Sequence, residues 1–325
     1  MVNDNEGLVY AHLLDRRGSA KPLKWTEIDQ WTPEQGLLWL HLDYESTNVH
    51  RWLTEKSGIN SITQESLLDE GTRPRAILSD DGLLLILRGV NCNPGADPED
   101  MVALRMLFTE NRIITLRHRR VMAIQDIHEA IIAGKGPTAP GDFLIMIAGR
   151  ISDRMNDIIS DIEDRVDDLE DSILTEESYE LRPKLADLRR QSIRLRRYIA
   201  PQRDMMVRLQ HEPISWLDEM DRVHLREIAE RTARFVEDID SARERASITQ
   251  EELNNRLSEQ MNKAMYTLSI VAAIFLPLGL LTGLLGINVG GIPGTENKWA
   301  FSVVAIFLVA LAVVLIGWFK KLKWL

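Results

Sequence analysis

Charge is nearly missing from the last fifth of this chain, and that limits its folds more than any other feature. From Ala264 to Thr295 no side chain carries a formal charge, a run well above the ~20 residues that cross a bilayer. Gly and Pro crowd its end in Gly286-Ile287-Asn288-Val289-Gly290-Gly291-Ile292-Pro293-Gly294, a sequence that cannot continue a helix. The reading is one transmembrane helix over 264–286 and a loop over 287–298. A second apolar run, Trp299 to Phe319, forms another span of about 30 Å as a helix.

Basic residues set the orientation. Lys320, Lys321 and Lys323 follow the second span and Arg256 and Lys263 precede the first, whereas the loop holds Lys298 offset by Glu296. Positive charge stays inside, so both termini are expected in the cytoplasm and the loop outside. Trp299, Trp318 and Trp324 suit interfacial anchors. Two buried helices of a soluble protein are the competing reading of these runs.

The rest of the chain is acidic. Of the net charge of −10, the five charged residues beyond Ala264 contribute +3 and leave −13 on residues 1–263. That balance argues against nucleic-acid binding. Cys92 is the single cysteine among 325 residues, which excludes a disulfide framework or a zinc finger. The opening MVNDNEGLVY has neither a basic segment nor an apolar one, so no cleaved leader is expected.

Residues 1–140 mix strand and helix signals and predict an α+β cytoplasmic domain. Leu37–Tyr44 reads as a strand, Arg75–Val90 as a hairpin about Asp80-Asp81-Gly82, and Met101–His118 as a second hairpin. Val49–Leu53 and Ile62–Glu70 read as helices. Beyond Gly149 no glycine occurs until Gly279, which marks long helices: charged ones over 141–214 and a stalk over 215–263, continuous with the first span. The basic tail is 320–325. Stalk and first span together, about 70 residues, would form one helix about 100 Å long.

Leu144, Ile147, Ile151, Met155, Ile158, Ile162, Val166, Leu169 and Ile173 recur at steps of three and four, the seam of a bundle helix. Nine acids lie between Arg150 and Asp171, and nine bases between Arg182 and Arg208. Either two antiparallel helices pair these charges or leave them solvated, or the charges line a vestibule that concentrates or repels cations.

Catalytic signatures are missing: the chain has no Walker loop, HExxH, G-x-S-x-G or CxxC, and enzymatic activity is not expected. None of the seven histidines pairs with another at i,i+4. His118 reads as a solvated strand end and His41 as an ordinary residue of an alternating strand.

Two spans cannot enclose a pore, so conduction would need several copies about one axis. Stepping back from Asn288 along the first span gives Gly283, Gly279, Leu276, Ala272, Leu268, Met265 and Asn262. This stripe offers no carboxylate or imidazole, so a divalent ion passing it would keep much of its water. Small-residue helix packing is the other reading. Pro277 leaves the Ala273 carbonyl without its usual donor, and that carbonyl could face a lumen.

At Gly286-Ile287-Asn288 the chain resembles the CorA metal-ion transporter superfamily, whose magnesium channels carry Gly-Met-Asn and an acidic Met-Pro-Glu-Leu-type loop. Ile287 and the Gly290-Gly291-Ile292-Pro293-Gly294 loop depart from both and resemble the ZntB zinc-transporting branch. Leu40-His41-Leu42, Thr72-Arg73-Pro74-Arg75, Tyr198-Ile199-Ala200-Pro201-Gln202-Arg203-Asp204 and the terminal Lys323-Trp324-Leu325 extend the resemblance over the whole chain.

The resemblance implies a funnel-shaped homopentamer in the bacterial inner membrane, with its pore lined by the first span. It implies Zn²⁺ as cargo, with Cd²⁺, Ni²⁺ or Co²⁺ tolerated and no resident cofactor. Gly286, Ile287 and Asn288 would form the filter at the mouth. It suggests proton-coupled uptake, but the spans hold no titratable relay, which leaves Glu251 and Glu252 as candidates. No regulatory metal site can be named. A magnesium/cobalt channel and, from another class, a membrane-anchored coiled-coil scaffold are the alternatives.

Overall fold

A computed structural model describes residues 7–69, 71, 73–173, 178–286 and 297–321. The chain divides into two compact units, residues 1–250 and 251–325.

The first unit is built on a seven-stranded sheet. Its strands are β1 (Leu8–Leu14), β2 (Ala20–Pro22), β3 (Leu37–Asp43), β4 (Arg75–Ser79), β5 (Gly82–Gly89), β6 (Val102–Phe108) and β7 (Arg112–Arg117), in the order β2-β1-β3-β7-β6-β5-β4. Strands β3 and β7 run parallel, with Trp39 opposite Ile113 and His41 opposite Thr115, and the remaining pairs are antiparallel. Both expected hairpins are present. The first turns at Gly82, whose φ of +121° suits glycine and where a Cβ would lie 2.2 Å from the Phe108 carbonyl oxygen.

Helices cover both faces of the sheet. Leu38, Leu40 and Leu42 of β3 join a core with α2 (Thr47–Glu55) and α3 (Ser61–Leu68), through Val49, Trp52, Leu53 and Leu67; the short α1 (Trp25–Ile28) adds Ile28. On the opposite face Trp39 meets Phe143 edge-on at 5.2 Å. Residues 37–42 are therefore all buried, so β3 does not alternate between core and solvent. A strand covered on both faces reads as a continuous apolar run, and His41 is 1 % exposed within it.

The second face carries α4 (Met122–Ile132) and α5 (Pro140–Ser172), followed by α6 (Ser178–Leu209) and α7 (Glu219–Leu285). Pro140 opens α5 at a position where its missing N–H costs nothing. The buried seam of α5 passes through Ile151, Met155, Ile159, Ile162, Val166 and Leu169. Ile159 takes the place expected of Ile158, because a step of four followed by three keeps the stripe on one side of a 3.6-residue helix. Helix α6 continues through Pro183 and Pro201.

Helix α7 starts at Glu219, four residues after the expected Ser215. Asp218 Oδ1 accepts from the Asp221 backbone N–H at 2.7 Å while Asp221 Oδ2 accepts from that of Asp218 at 3.2 Å. This reciprocal cap fixes the first turn.

Candidate functional site

In the second unit α7 runs to Leu285 and α8 spans Ala300–Lys321. By length and composition both are able to cross a membrane: the 22 residues of α8 extend about 33 Å against a ~30 Å hydrocarbon layer. Their apolar side chains lie open, Leu276 at 70 % exposure and Phe301 at 85 %, a surface suited to lipid. The threonine and serine hydroxyls within the apolar part of α7 are satisfied by their own helix. Thr267 donates to the Lys263 carbonyl, Ser269 to Met265 and Thr282 to Leu278, at 2.8–2.9 Å, as a water-free environment requires.

Most of the apolar part of α7 is exposed, and a few residues along one side are covered. Ile270, Ile274, Leu278 and Leu281 are buried or half-buried, at steps of four, four and three along one side. Asn262, Met265, Leu268, Leu276, Gly279 and Gly283 are exposed and Ala272 is half-buried; at 100° per residue they centre on the opposite side. Neither Gly279 nor Gly283 has an atom within 4 Å of where a Cβ would stand. Gly286 closes the helix, its N–H donating to the carbonyls of Thr282 at 2.9 Å and Gly283 at 3.2 Å. Ile287 and Asn288 lie outside the described residues, as does the rest of the loop to Glu296. Glu251 and Glu252 are exposed, and Glu252 accepts from Arg256 at 2.9 Å.

In the first unit the charged helices are wired differently from the simplest sequence expectation. Asp153, Asp167 and Glu170 of α5 pair with α7 rather than with the basic helix α6. Arg231 binds Asp153 at 2.8 Å, and Arg245 holds both Asp167 and Glu170. Helix α6 also turns to α7, through Arg196 on Asp240 and Arg189 on Gln250, each at 2.7 Å. Helix α7 thus takes up side chains from both. Asp157, Asp161, Asp164 and Asp168 stay exposed on the outer side of α5. Burial, then the neighbouring charges of Asp238 and Asp167, push the Glu163 carboxyl above its ordinary range. Among the described residues no group of three or more His, Cys, Asp or Glu side chains is disposed to hold a metal ion.

Three-dimensional proximity also gathers histidines that are distant in sequence. His12 and His128 share a ring-nitrogen hydrogen bond of 3.0 Å, and Tyr10 stacks on His128 with ring centres 3.8 Å apart. His41 Nδ1 lies 2.8 Å from the Thr115 hydroxyl, which donates to the Leu40 carbonyl and accepts from the Trp39 indole. Burial, with the Arg117 charge next, pushes His41 down to about 3; burial and His128 push His12 to about 4. Both rings are neutral at ordinary pH and serve the core.

A soluble α+β body with a terminal apolar hairpin is also what comparison with known proteins returns. The chain is 37% identical over 317 residues to the zinc transport protein ZntB of Yersinia enterocolitica, covering 98% of this chain and 96% of that one. It is 39% identical over 326 residues to the divalent cation transporter CmaX of Pseudomonas aeruginosa, covering 99% and 98%. The structure of full-length CmaX superposes with a TM-score of 0.85 at 37% identity, covering 100% of both chains. The fold is shared as well by the CorA magnesium transporter of Methanocaldococcus jannaschii, with a TM-score of 0.82, 21% identity and coverage of 97% and 98%. The family profile described as CorA-like Mg2+ transporter protein matches residues 34–321, nearly the whole chain, and on that span the chain belongs to the CorA-like transporter family.

Proposed function

We propose that this chain moves divalent cations, zinc foremost, across the bacterial inner membrane through a pore made by several copies of itself. The observation that carries this reading is the charge-free stripe of α7 from Asn262 to Gly283, which lies opposite the covered residues Ile270, Ile274, Leu278 and Leu281. One chain with two spans cannot enclose a path. In a homopentamer five such stripes would face a common axis and leave Gly286, Ile287 and Asn288 at its outer mouth.

The chemistry of that lining sets the mechanism. Without carboxylates or imidazoles at membrane depth the protein cannot replace the inner water shell of a small divalent ion. The ion would pass hydrated, its water held by the Asn288 amides and by backbone carbonyls. Cd²⁺, Ni²⁺ and Co²⁺ carry similar shells and would be tolerated. Both termini lie in the cytoplasm in this reading, with Lys320 and Lys321 on the inner side, and transport runs inward.

Flux into vesicles loaded with a zinc-sensitive dye, with and without a pH gradient, tests the proposal. Zinc influx above that of empty vesicles supports it, and acceleration by an inward proton gradient supports coupling. Influx indistinguishable from empty vesicles rejects it. Magnesium is the second reading, favoured by the family profile and the CorA fold. Equimolar Mg²⁺ that abolishes zinc influx would favour it.

A further inference from the structure

The first unit contains a cavity of about 470 Å³ whose charge is opposite to that of the body around it. Arg88, Arg105, Arg119, Arg194, Arg197 and His118 line it, in a unit that is strongly acidic as a whole. Glu99 and Asp100 are the acids of its wall, and Arg194 reaches them at 3.9 and 3.7 Å. Among the described residues of the lining, five guanidinium groups stand against two carboxylates. A cation transporter has no use for such a place on the route of its cargo.

The cavity sits at one end of two central strands of the sheet. β3 and β7 are the parallel pair of the sheet, and Tyr44, His118 and Arg119 follow directly after their carboxyl ends. Strands β5 and β6 form the floor, with Arg88 opposite Ala103 and Arg105 opposite Ile86 in register, so both arginines rise from the same face. Helix α6 forms the wall that carries Arg194, Arg197 and Tyr198.

The arginines are held ready by the protein. Arg105 is 2 % exposed, donates from Nε and Nη2 to the Asp69 carbonyl at 3.1 and 2.8 Å, and lies 5.2 Å over the Tyr44 ring. Arg88 donates to the Met101 carbonyl at 2.9 Å and sits 4.6 Å over the Tyr198 ring, with Arg197 5.5 Å from the same ring. Stacking on aromatic faces orients a guanidinium without neutralising it. Arg119 and Arg197 are exposed at the rim. Arg88 and Arg105, which donate to the Met101 and Asp69 carbonyls, contribute fixed positive charge, and the planar forks of Arg119 and Arg197 at the rim match the oxygens of phosphoryl groups; the volume lies within the ~300–1,000 Å³ of small-molecule sites.

We propose that this cavity is a binding site for a small anion bearing two or more phosphoryl groups, distinct from the cation path. Either a nucleoside diphosphate or free pyrophosphate supplies that chemistry.

Calorimetric titration of the full-length protein in detergent tests it, with chelator present so that no metal bridges anion and carboxylate. Pyrophosphate and ADP are the probes, and adenosine is the control. Saturable binding of pyrophosphate or ADP is expected, weakened roughly tenfold or more in Arg119→Gln/Arg197→Gln. The melting temperature and oligomer of that variant should match wild type, because both side chains are exposed. Arg197→Lys, which keeps charge but loses the fork, should fall between the two. Tighter binding of ADP assigns a nucleotide, and equal binding assigns the phosphoryl groups alone. Absence of saturable binding, wild-type affinity in the double variant, or adenosine binding as tightly as ADP would each overturn the proposal.

Discussion

Arg245 of α7 grips Glu170 of α5 with a two-pronged ion pair, Nε to Oε1 at 2.9 Å and Nη2 to Oε2 at 2.5 Å. The same Nη2 reaches Asp167 Oδ1 at 2.5 Å. Glu170 first and Asp167 second raise the Arg245 guanidinium well above its ordinary range. One cation of α7 thus tethers two carboxylates of the most acidic helix.

Arg245→Gln should therefore lower the stability of the first unit by about 1 kcal/mol, the upper end for partly exposed pairs. Thermal unfolding followed by circular dichroism checks it. Arg243→Gln, whose Asp240 contact is a looser 3.9 Å, serves as the comparison and should change little.

Gly279 and Gly283 separate pore lining from ordinary packing. With nothing among the described residues, apart from the helix's own backbone, within 4 Å of either Cβ position, Gly→Ala should stabilise α7 by roughly 0.5–1 kcal/mol per site. Gly279→Val and Gly283→Val should leave the hairpin folded while cutting zinc influx about tenfold or more, if these positions surround the ion path. Full influx in well-assembled valine variants would place the stripe against lipid.

Asn288→Ala removes the amide that holds water around the ion. Influx or selectivity should collapse while the oligomer persists on size exclusion. Wild-type flux and selectivity in the correctly assembled variant would contradict the filter assignment.

The neutral buried histidines predict an acid-sensitive fold. His41 at about 3 and His12 at about 4 lie below the ~6.5 of an unfolded histidine. Between those values the unfolded chain binds more protons, so stability present above about pH 6.5 declines as pH falls, by at most ~1.4 kcal/mol per pH unit and group. Melting temperatures taken from pH 7 down to 5 should fall, and His41→Asn should flatten that slope whatever it does to stability at pH 7. An identical slope in the variant would show that His41 carries no linkage.

The hairpin was legible because its signal is local. A bilayer-length run free of charge can meet its backbone hydrogen bonds only as helix, and Gly286 with the residues after it cannot prolong one. Both β-hairpins were legible for the same reason, through Asp80-Asp81-Gly82 and Glu110-Asn111-Arg112. Periodicity also revealed the long helices, although Ile159 rather than Ile158 occupies the seam and Asp218 delays the start of α7.

Partnerships were another matter. Opposite charge on α5 and α6 suggested that the two pair, and only the placement of α7 sends Asp153, Asp167 and Glu170 to Arg231 and Arg245. His41 looked ordinary until β3 was covered on both faces. The arginine cavity draws on residues from Tyr44 to Tyr198, which no spacing rule connects. Composition and period are properties of a segment and can be read along the chain, so they determined the spans, the helices and the turns. Which charge meets which, and which arginines converge, depends on loop closures that bring distant segments together, and that was decided only when the sheet and its helices packed.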